Sequence, residues 1–162
     1  MKILLETIKE NNPDWKPRSA KQLVGLDILD SYAREKLKNK KCNNLLFDLR
    51  RREGATYLLM LAAALFPASR TVIVSSTRDK SLHAQWQLEQ ILKLLKMPMY
   101  DLQRDKLTAF GKAWIFKTKL SDFSGVQADL VLIDDIDAVG DFWDQSLFTK
   151  CGATFIATRS VK

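Results

Sequence analysis

One short segment of the sequence has the residue types that hold a phosphate group. Three consecutive arginines, Arg50, Arg51 and Arg52, follow an apolar run. Gly54 and Thr56 come next and open a helical pattern. Backbone N–H groups at a helix N-terminus bind anions, a glycine lets the backbone approach a phosphate closely, and a threonine hydroxyl can hold a magnesium ion. The segment therefore has the layout of a phosphate-binding loop.

The segment departs from the phosphate-loop pattern G-x-x-x-x-G-K-[ST] at two positions. Leu49 stands where the first glycine belongs, and Ala55 stands where the lysine belongs. A second interpretation is therefore open, in which Gly54 and Thr56 form a tight helix start and the arginines before them are simply exposed to solvent.

A second segment, at 128–135, ends an apolar run in two carboxylates, Asp134 and Asp135. This is the Walker B pattern, in which the first acid binds Mg²⁺ through water and the second polarises the attacking water. The second acid is usually a glutamate, so the shorter Asp135 predicts impaired water activation. The alternative is a strand that runs into an acidic turn, or an acidic helix start at Ile136. The order of the two segments along the chain favours nucleotide chemistry.

The turn that follows the apolar run at 71–76 is rich in groups that donate hydrogen bonds to a nucleic-acid backbone. They are Ser75, Ser76, Thr77, Arg78 and Lys80. In α/β sheets, ligands bind where a strand ends and the next helix begins, so the sequence predicts nucleic-acid contacts here. An ordinary surface turn fits the same residues.

A small residue and a hydroxyl residue, Ala157 and Thr158, end the last apolar run. A hydroxyl at such a position can sense a γ-phosphate and relay its presence to the nucleic-acid side, which makes the pair a candidate coupling motif. Threonine is also common at strand ends for reasons of packing alone.

The elements that must position these residues follow from the apolar pattern. Strands are predicted near 44–49, 71–75, 113–117, 130–134 and 153–157. Helices are predicted between them at 54–66, 79–96 and 142–149. This alternation predicts an α/β fold with a mostly parallel central sheet flanked by helices. Residues 1–40 are predicted to be a helical N-terminal segment with Ser19 as a helix N-cap, and 41–162 the core of the same single domain.

Composition excludes several classes of protein. The chain has 162 residues with two cysteines and one histidine, which argues against a disulfide framework, a zinc cluster or a Ser-His-Asp triad. The longest apolar stretch, at 58–66, is too short to span a bilayer, so no membrane partner and a cytoplasmic location are expected. Lys and Arg number 26 against 19 Asp and Glu, and residues 121–162 are acidic. A basic body favours a polyanionic partner, DNA or another nucleic acid.

Together these motifs resemble the ATPase domain of large terminases, the motors that package DNA into phage and herpesvirus capsids. The resemblance covers about residues 17–160. In that family the phosphate loop is often written R-Q-x-G-K-T, and residues 51–56 read RREGAT in that frame. The family also has a glycine shortly before Walker B, here Gly125, and a small-Thr coupling motif, here Ala157 and Thr158.

The resemblance implies a RecA-like (ASCE) P-loop fold with ATP and Mg²⁺ as cofactors. It implies metal-binding roles for Thr56 and Asp134, and a catalytic role for Asp135. A basic group at the start of the loop would replace the missing lysine, and the terminase frame favours Arg51 over Arg50 and Arg52. Many terminases and superfamily 2 helicases have a glutamine upstream that reads adenine, and Gln22 sits at a suitable distance.

The first domain of superfamily 2 helicases is a close rival, because residues 83–92 resemble the helix after helicase motif Ia. Such helicases need a second RecA-like domain, and terminases usually add a nuclease domain. The chain is therefore expected to be a piece of a longer protein, a subunit completed by a partner, or a stand-alone degenerate relative.

Two functions from different classes follow. The first is a DNA-packaging or translocation ATPase domain that works with other subunits of a packaging motor, or with a nuclease or second motor domain. The second is an inactive adaptor or regulator that keeps the fold and binds nucleic acid or a motor partner. An unrelated α/β domain with coincident motifs is the third possibility.

Overall fold

The computed structural model describes seven stretches of the chain: residues 3–37, 44–50, 52–97, 101–109, 111–119, 126–140 and 153–161. The helices are α1 (Ile3–Asn11), α2 (Ala20–Leu37), α3 (Ala55–Leu65), α4 (Arg78–Leu94) and α5 (Ile136–Val139). The strands are β1 (Leu45–Arg50), β2 (Arg70–Ser75), β3 (Asp101–Gln103), β4 (Lys106–Ala109), β5 (Lys112–Thr118), β6 (Leu130–Ile133) and β7 (Thr154–Val161).

The seven strands form one sheet in the order β1-β7-β6-β2-β5-β4-β3. The five strands from β1 to β5 in that order run parallel, while β4 pairs antiparallel with β5 and β3 antiparallel with β4. The predicted α/β fold with a mostly parallel sheet is confirmed, and each of the five predicted strands overlaps one of these parallel strands. The antiparallel hairpin of β3 and β4 was not predicted.

The position of β7 decides where the sequence motifs meet. Ile156 of β7 is in register with Leu45 of β1 on one side and with Leu132 of β6 on the other. The three strands are parallel, so their carboxyl ends emerge at the same edge of the sheet. The loop after β1 and the carboxylates after β6 therefore face each other across β7.

Apolar side chains cover both faces of the sheet. Along β6 they alternate, since Leu130 and Leu132 belong to the larger core with α3 and α4, while Val131 and Ile133 belong to a smaller core on the other face. The fully buried Trp114 lies in the larger core and donates from Nε1 to the Ala63 carbonyl at 2.6 Å. This packing fixes α3, whose first turn belongs to the candidate site.

The N-terminal helices pack on the same side as α3. Ser19 is the N-cap of α2, as predicted, because its Oγ accepts a hydrogen bond from the Gln22 amide at 3.0 Å. Gly25 lets α2 approach α3 closely, since a Cβ at this position would lie 2.7 Å from Leu58 Cδ2. The close approach brings the start of α2 against the loop that precedes α3.

Several predictions concern other parts of the chain. The helix predicted at 142–149, together with Arg51 and Gly125, lies outside the described residues. That 1–162 form a single domain stays a prediction. In the described part of the chain, no helix combines the length and the apolar character needed to cross a membrane.

Candidate functional site

A cleft of about 830 Å³ opens at the carboxyl edge of β1, β7 and β6. Both sequence motifs contribute to its walls, as do β7 and the first half of α4. Its lining residues are Arg18, Arg50, Arg52, Gly54, Ala55, Thr56, Tyr57, Lys80, His83, Gln87, Asp134, Asp135, Thr158 and Ser160. The parallel topology thus brings the predicted phosphate loop and the predicted Walker B acids into one site.

The loop between β1 and α3 makes a tight turn. The Glu53 amide donates to the Arg50 carbonyl at 3.1 Å, and Glu53 Oε2 accepts from the Arg50 amide at 2.5 Å. Arg52 has φ 70° and Gly54 has φ 85°, so two residues of the turn are in the left-handed region. Gly54 is the N-cap of α3 and has no side chain with which to cap the helix. Among the described residues, the first amides of α3 therefore have no side-chain acceptor, and this turn lines the cleft.

The start of α2 holds this loop in place. Ser19 Oγ donates to the Glu53 carbonyl at 2.9 Å, and Gln22 Nε2 donates to the Gly54 carbonyl at 3.2 Å. Gln22 Oε1 accepts from the Arg18 amide at 2.7 Å, so both ends of this fully buried amide are engaged. A Cβ at Gly54 would overlap the Gln22 amide, so glycine is required there for space as well as for its φ.

Gln22 was predicted to read adenine, and the structure places its side chain behind the loop. The residue is absent from the lining of the cleft, and its amide faces the Gly54 carbonyl. To contact adenine, the Gln22 amide would have to give up its hydrogen bond to the Gly54 carbonyl. In the structure, this hydrogen bond holds the loop in place.

Asp134 lies at the centre of a hydroxyl–carboxylate cluster. Thr56 Oγ1 donates to Asp134 Oδ2 at 2.9 Å, and Thr158 Oγ1 donates to Asp134 Oδ1 at 3.3 Å. Burial raises the pKa of the Asp134 carboxyl above its ordinary value, and the Asp135 charge raises it further. The two threonine hydroxyls and the Lys80 ammonium act in the opposite direction. The loop, Walker B and the predicted coupling residue thus share one carboxylate.

Asp135 is held in an unusual backbone conformation, with φ 60° and ψ 80°. Its amide donates to Thr158 Oγ1 at 3.0 Å, and Ser160 Oγ donates to Asp135 Oδ2 at 3.5 Å. A non-glycine residue in the left-handed region costs free energy and occurs often at functional sites. This turn directs the second acid into the cleft, where the Walker B pattern expects it.

The residues predicted to contact nucleic acid do not lie together. Lys80 lines the cleft, whereas Arg78 points away from it and pairs with Asp105 at 3.4 Å. Thr77 Oγ1 accepts from the Lys80 amide at 3.3 Å and caps α4, and Ser76 is buried. Ala157, predicted to be part of the coupling motif, is buried in the smaller core beside Thr158.

Five lining residues were not predicted as part of the site: Arg18, Tyr57, His83, Gln87 and Ser160. Three of them are indicated by their spacing from residues that were predicted. Ser160 follows Thr158 by two residues, which places both on one face of β7. His83 and Gln87 follow Lys80 at helical spacing along α4. Spacing does not indicate Arg18 and Tyr57, because their place in the cleft depends on tertiary packing. Tyr57, for example, stacks on Trp15 with ring centres 6.5 Å apart.

The carboxylate and the hydroxyl at the centre of the site are oxygen ligands of the kind that a magnesium ion takes. Within the described stretches, no group of three or more His, Cys, Asp or Glu side chains is arranged to hold a metal. Mg²⁺ keeps several of its waters and needs one or two carboxylates together with phosphate oxygens. Asp134 and the Thr56 hydroxyl next to it are ligands of that kind.

The arrangement defines a class of fold: a RecA-like sheet with a phosphate-type loop and a Walker B strand separated by one strand. Three solved structures of phage large terminases have a similar fold. The HK97 large terminase superimposes with a TM-score of 0.66 at 14% identity, over 97% of this chain and 37% of its own. The large terminase of the thermophilic bacteriophage D6E gives a TM-score of 0.61 at 18% identity, over 89% of this chain and 39% of its own.

A further structure of the D6E large terminase, in complex with ADP, gives a TM-score of 0.59 at 18% identity. It covers 87% of this chain and 38% of its own length. The chain therefore spans less than two fifths of each of these terminases. No protein-family profile matches the sequence, and no curated protein matches it. The similarity shows the fold, and the predicted terminase-like ATPase fold is confirmed at that level.

Proposed function

We propose that this chain is a terminase-like nucleotide-binding domain of a DNA-packaging motor, with ATP and Mg²⁺ as its ligands. One observation carries the proposal: Thr56 of the phosphate loop and Thr158 of β7 meet on the carboxylate of Asp134, beneath the open start of α3. A structural neighbour of the same fold binds ADP. A strand that merely ended in an acidic turn would not need this convergence.

Different residues of the site are proposed to contact the phosphates, the Mg²⁺ ion and the attacking water. The α3 amides and the Arg50 and Arg52 guanidinium groups face the phosphates, and Arg51 is proposed to share this role from the start of the loop. Thr56 and Asp134 would hold Mg²⁺, which when bound neutralises phosphate charge. Asp135 stands where the second Walker B acid would face the attacking water, and its bonds to Thr158 and Ser160 hold it there.

Thr158 is the proposed coupling residue. Its hydroxyl donates to Asp134 and accepts from the Asp135 amide, so it touches both acids at once. A change in either acid on phosphate binding moves this hydroxyl and with it the end of β7. Gln22 supports the site by holding the Gly54 carbonyl, and a contact with adenine is the alternative role for it.

Two substitutions in the motifs limit turnover. Ala55 stands where the loop lysine would contact β- and γ-phosphates, and Asp135 is one methylene shorter than the usual glutamate. The first change weakens γ-phosphate stabilisation, and the second mispositions the water. We therefore propose that the isolated chain binds nucleotide weakly and hydrolyses it slowly. DNA and the other subunits of the motor are the proposed partners.

Calorimetric titration with Mg²⁺–ATPγS tests the proposal. Asp134→Asn keeps the size of the side chain and removes the charge that holds Mg²⁺, so binding should fall at least tenfold and lose its dependence on Mg²⁺. Asp137→Asn is the control, because Asp137 is exposed in the first turn of α5 and lies outside the lining of the cleft. It should bind as the unmodified chain does.

The outcomes separate the candidate functions. No affinity of the unmodified chain for Mg²⁺–ATPγS would favour the adaptor or regulator, which keeps the fold without the ligand. Vigorous Mg²⁺-dependent hydrolysis that Asp134→Ala abolishes would show that turnover is intact. In that case one of the arginines at 50–52 replaces the lysine, and changing each to alanine would show which.

A further inference from the structure

The cleft receives a lysine from an element other than the phosphate loop. We infer that Lys80 of α4 supplies the phosphate-binding cation that the loop lacks at Ala55, so that the terminal phosphate is held between α3 and α4. The inference rests on the proposed nucleotide site. It also reassigns a residue that the sequence placed among nucleic-acid contacts.

The position of Lys80 is fixed by the start of α4. Its backbone amide donates to Thr77 Oγ1, which caps the helix, and its side chain lines the cleft together with Ala55 and Asp134. Within the described part of the chain, no hydrogen bond or ion pair engages the ammonium group. The ammonium is therefore available to an anion in the cleft.

The position of Lys80 relative to Asp134 supports the same assignment. Both residues line the cleft, so the ammonium shares one space with the acid that would hold Mg²⁺. A γ-phosphate bound to that Mg²⁺ would lie within the field of the same lysine. Arg50 and Arg52 enter the cleft from the opposite wall, at the end of β1.

The face of α4 below Lys80 is also polar and turned to the cleft. His83 and Gln87 follow at helical spacing and line the same space. Gln87 is 8% exposed, and its Oε1 has no hydrogen-bond partner among the described residues. A buried acceptor of this kind usually has a donor, so this helix face is arranged for a polar ligand.

The other face of α4 is different in character. Arg78, Leu82 and Trp86 line a separate shallow groove together with Leu102 and Arg104 of the hairpin. Arg78 and Lys80 are two residues apart, which on a helix places them on different sides. The two basic residues therefore face different ligands, and only Lys80 can reach the phosphates in the cleft.

Titration calorimetry without nucleic acid tests the inference. Lys80→Ala should bind Mg²⁺–ATPγS about tenfold more weakly than the unmodified chain, because one charge-assisted contact is lost. Mg²⁺–ADP should lose less, since the contact is to the terminal phosphate. Lys80→Gln keeps the aliphatic stem and should show the same loss. Lys93→Ala removes an equal charge from the exposed last turn of α4 and should leave both affinities unchanged.

The inference and the proposed function fail in distinguishable ways. Equal binding of Mg²⁺–ATPγS by the unmodified chain and Lys80→Ala would overturn the inference and leave the nucleotide site standing. If the unmodified chain binds no Mg²⁺–ATPγS, the proposed function fails, and Mg²⁺–tripolyphosphate becomes the probe. Tripolyphosphate binding that depends on Lys80 would support the inference, while no binding, or binding independent of Lys80, would overturn it.

Discussion

At the scale of single residues, the site is centred on the carboxylate of Asp134, whose burial costs free energy. Asp134 is 9% exposed, and burial works against its ionised form. The hydroxyls of Thr56 and Thr158 reduce that cost but carry no charge. The cost of burying the Asp134 charge is therefore only partly compensated, at the point where the two sequence motifs meet. A divalent cation would supply the missing positive charge.

Restoring the two altered motif positions should act on separate steps. Ala55→Lys returns a cation to the loop and should tighten Mg²⁺–ATPγS binding by about tenfold, measured by calorimetry. Asp135→Glu lengthens the second acid and should raise the rate of phosphate release from ATP only when combined with Ala55→Lys. The control is Ala55→Met, which adds a side chain of similar length without the charge.

The interpretation would be contradicted if Ala55→Met and Ala55→Lys tightened binding equally. The weak binding would then result from the short side chain at position 55 and not from its missing charge. A rise in phosphate release with Asp135→Glu alone would show that binding does not limit turnover.

The sequence identified most of the charged residues that line the cleft, but not which residues of the turn at 75–80 lie on the cleft side of α4. Asp134, Asp135 and Thr56 were predicted because strand ends and helix starts are visible in the apolar pattern. Lys80 was assigned to nucleic acid because nothing in the spacing of 75–80 shows which way each side chain of the first turn points. That direction depends on how α4 packs against the sheet.

At the scale of elements, the edge strand β1 depends on one neighbour. It pairs only with β7 among the described strands, and an ion pair reinforces the ladder on its exposed side. Arg159 Nε donates to Asp48 Oδ1 at 2.8 Å, and Nη2 donates to Oδ2 at 3.1 Å. The two residues are directly opposite each other in the register. Because the phosphate loop begins at the end of β1, this pair helps to hold the loop.

The ion pair predicts a pH dependence of stability. The hydrogen bond from Arg159 lowers the pKa of the Asp48 carboxyl below its ordinary 3.8. The stabilisation is therefore present above pH 3.8 and is lost as the pH falls through the lowered folded-state pKa. Asp48→Asn should melt at a lower temperature than the unmodified chain at pH 7, by a margin that shrinks in high salt.

Thermal melting followed by circular dichroism at several pH values provides the check. The melting difference should stay constant between about pH 5 and pH 8 and close in acid. Asp101→Asn serves as the control, because its carboxylate is exposed on β3 and bonds to Gln103 on the same strand. A difference as large at pH 3 as at pH 7 would mean that Asp48 acts through packing.

The hairpin of β3 and β4 shows what the apolar pattern could not predict. The three residues of β3 are exposed, and β4 alternates half-buried and buried residues, so neither strand has an apolar run of its own. The hairpin exists because β5 offers a partner edge next to it. The parallel strands, by contrast, contain apolar runs that are visible in the sequence, as in the fully buried β6.

At the scale of the whole molecule, excess basic charge remains after the cleft has been accounted for. The formal net charge is +7, and Arg78 and Arg104 lie on the side of α4 that faces away from the cleft. Donors of this kind contact phosphates without reading bases. The groove they line, which also exposes Trp86, is the surface on which we expect nucleic acid to bind.

Binding to nucleic acid should therefore depend steeply on salt and little on sequence. Arg78→Ala should weaken binding to all DNA sequences alike and lower the dependence of log affinity on log salt by about one unit. Fluorescence anisotropy of two unrelated DNA duplexes at several salt concentrations measures both quantities. Lys93→Ala, on the far turn of α4, is the control.

An affinity that does not change between low and high salt would contradict the electrostatic argument. Equal losses from Arg78→Ala and Lys80→Ala would instead place the DNA over the cleft as well as over the groove.

The insertion of β7 between β1 and β6 has a consequence for the order of folding. β1 and β7 are neighbours in the sheet although more than a hundred residues separate them along the chain, and β1 and β6 each pair with β7 rather than with each other. Joining strands so distant in sequence is slow, because a long loop must close before any contact forms. During synthesis the phosphate loop and the Walker B acids are both complete well before Thr158 emerges to link them. The cleft therefore forms only after β7 has joined β1 and β6, so its appearance reports a late step in the assembly of this half of the sheet.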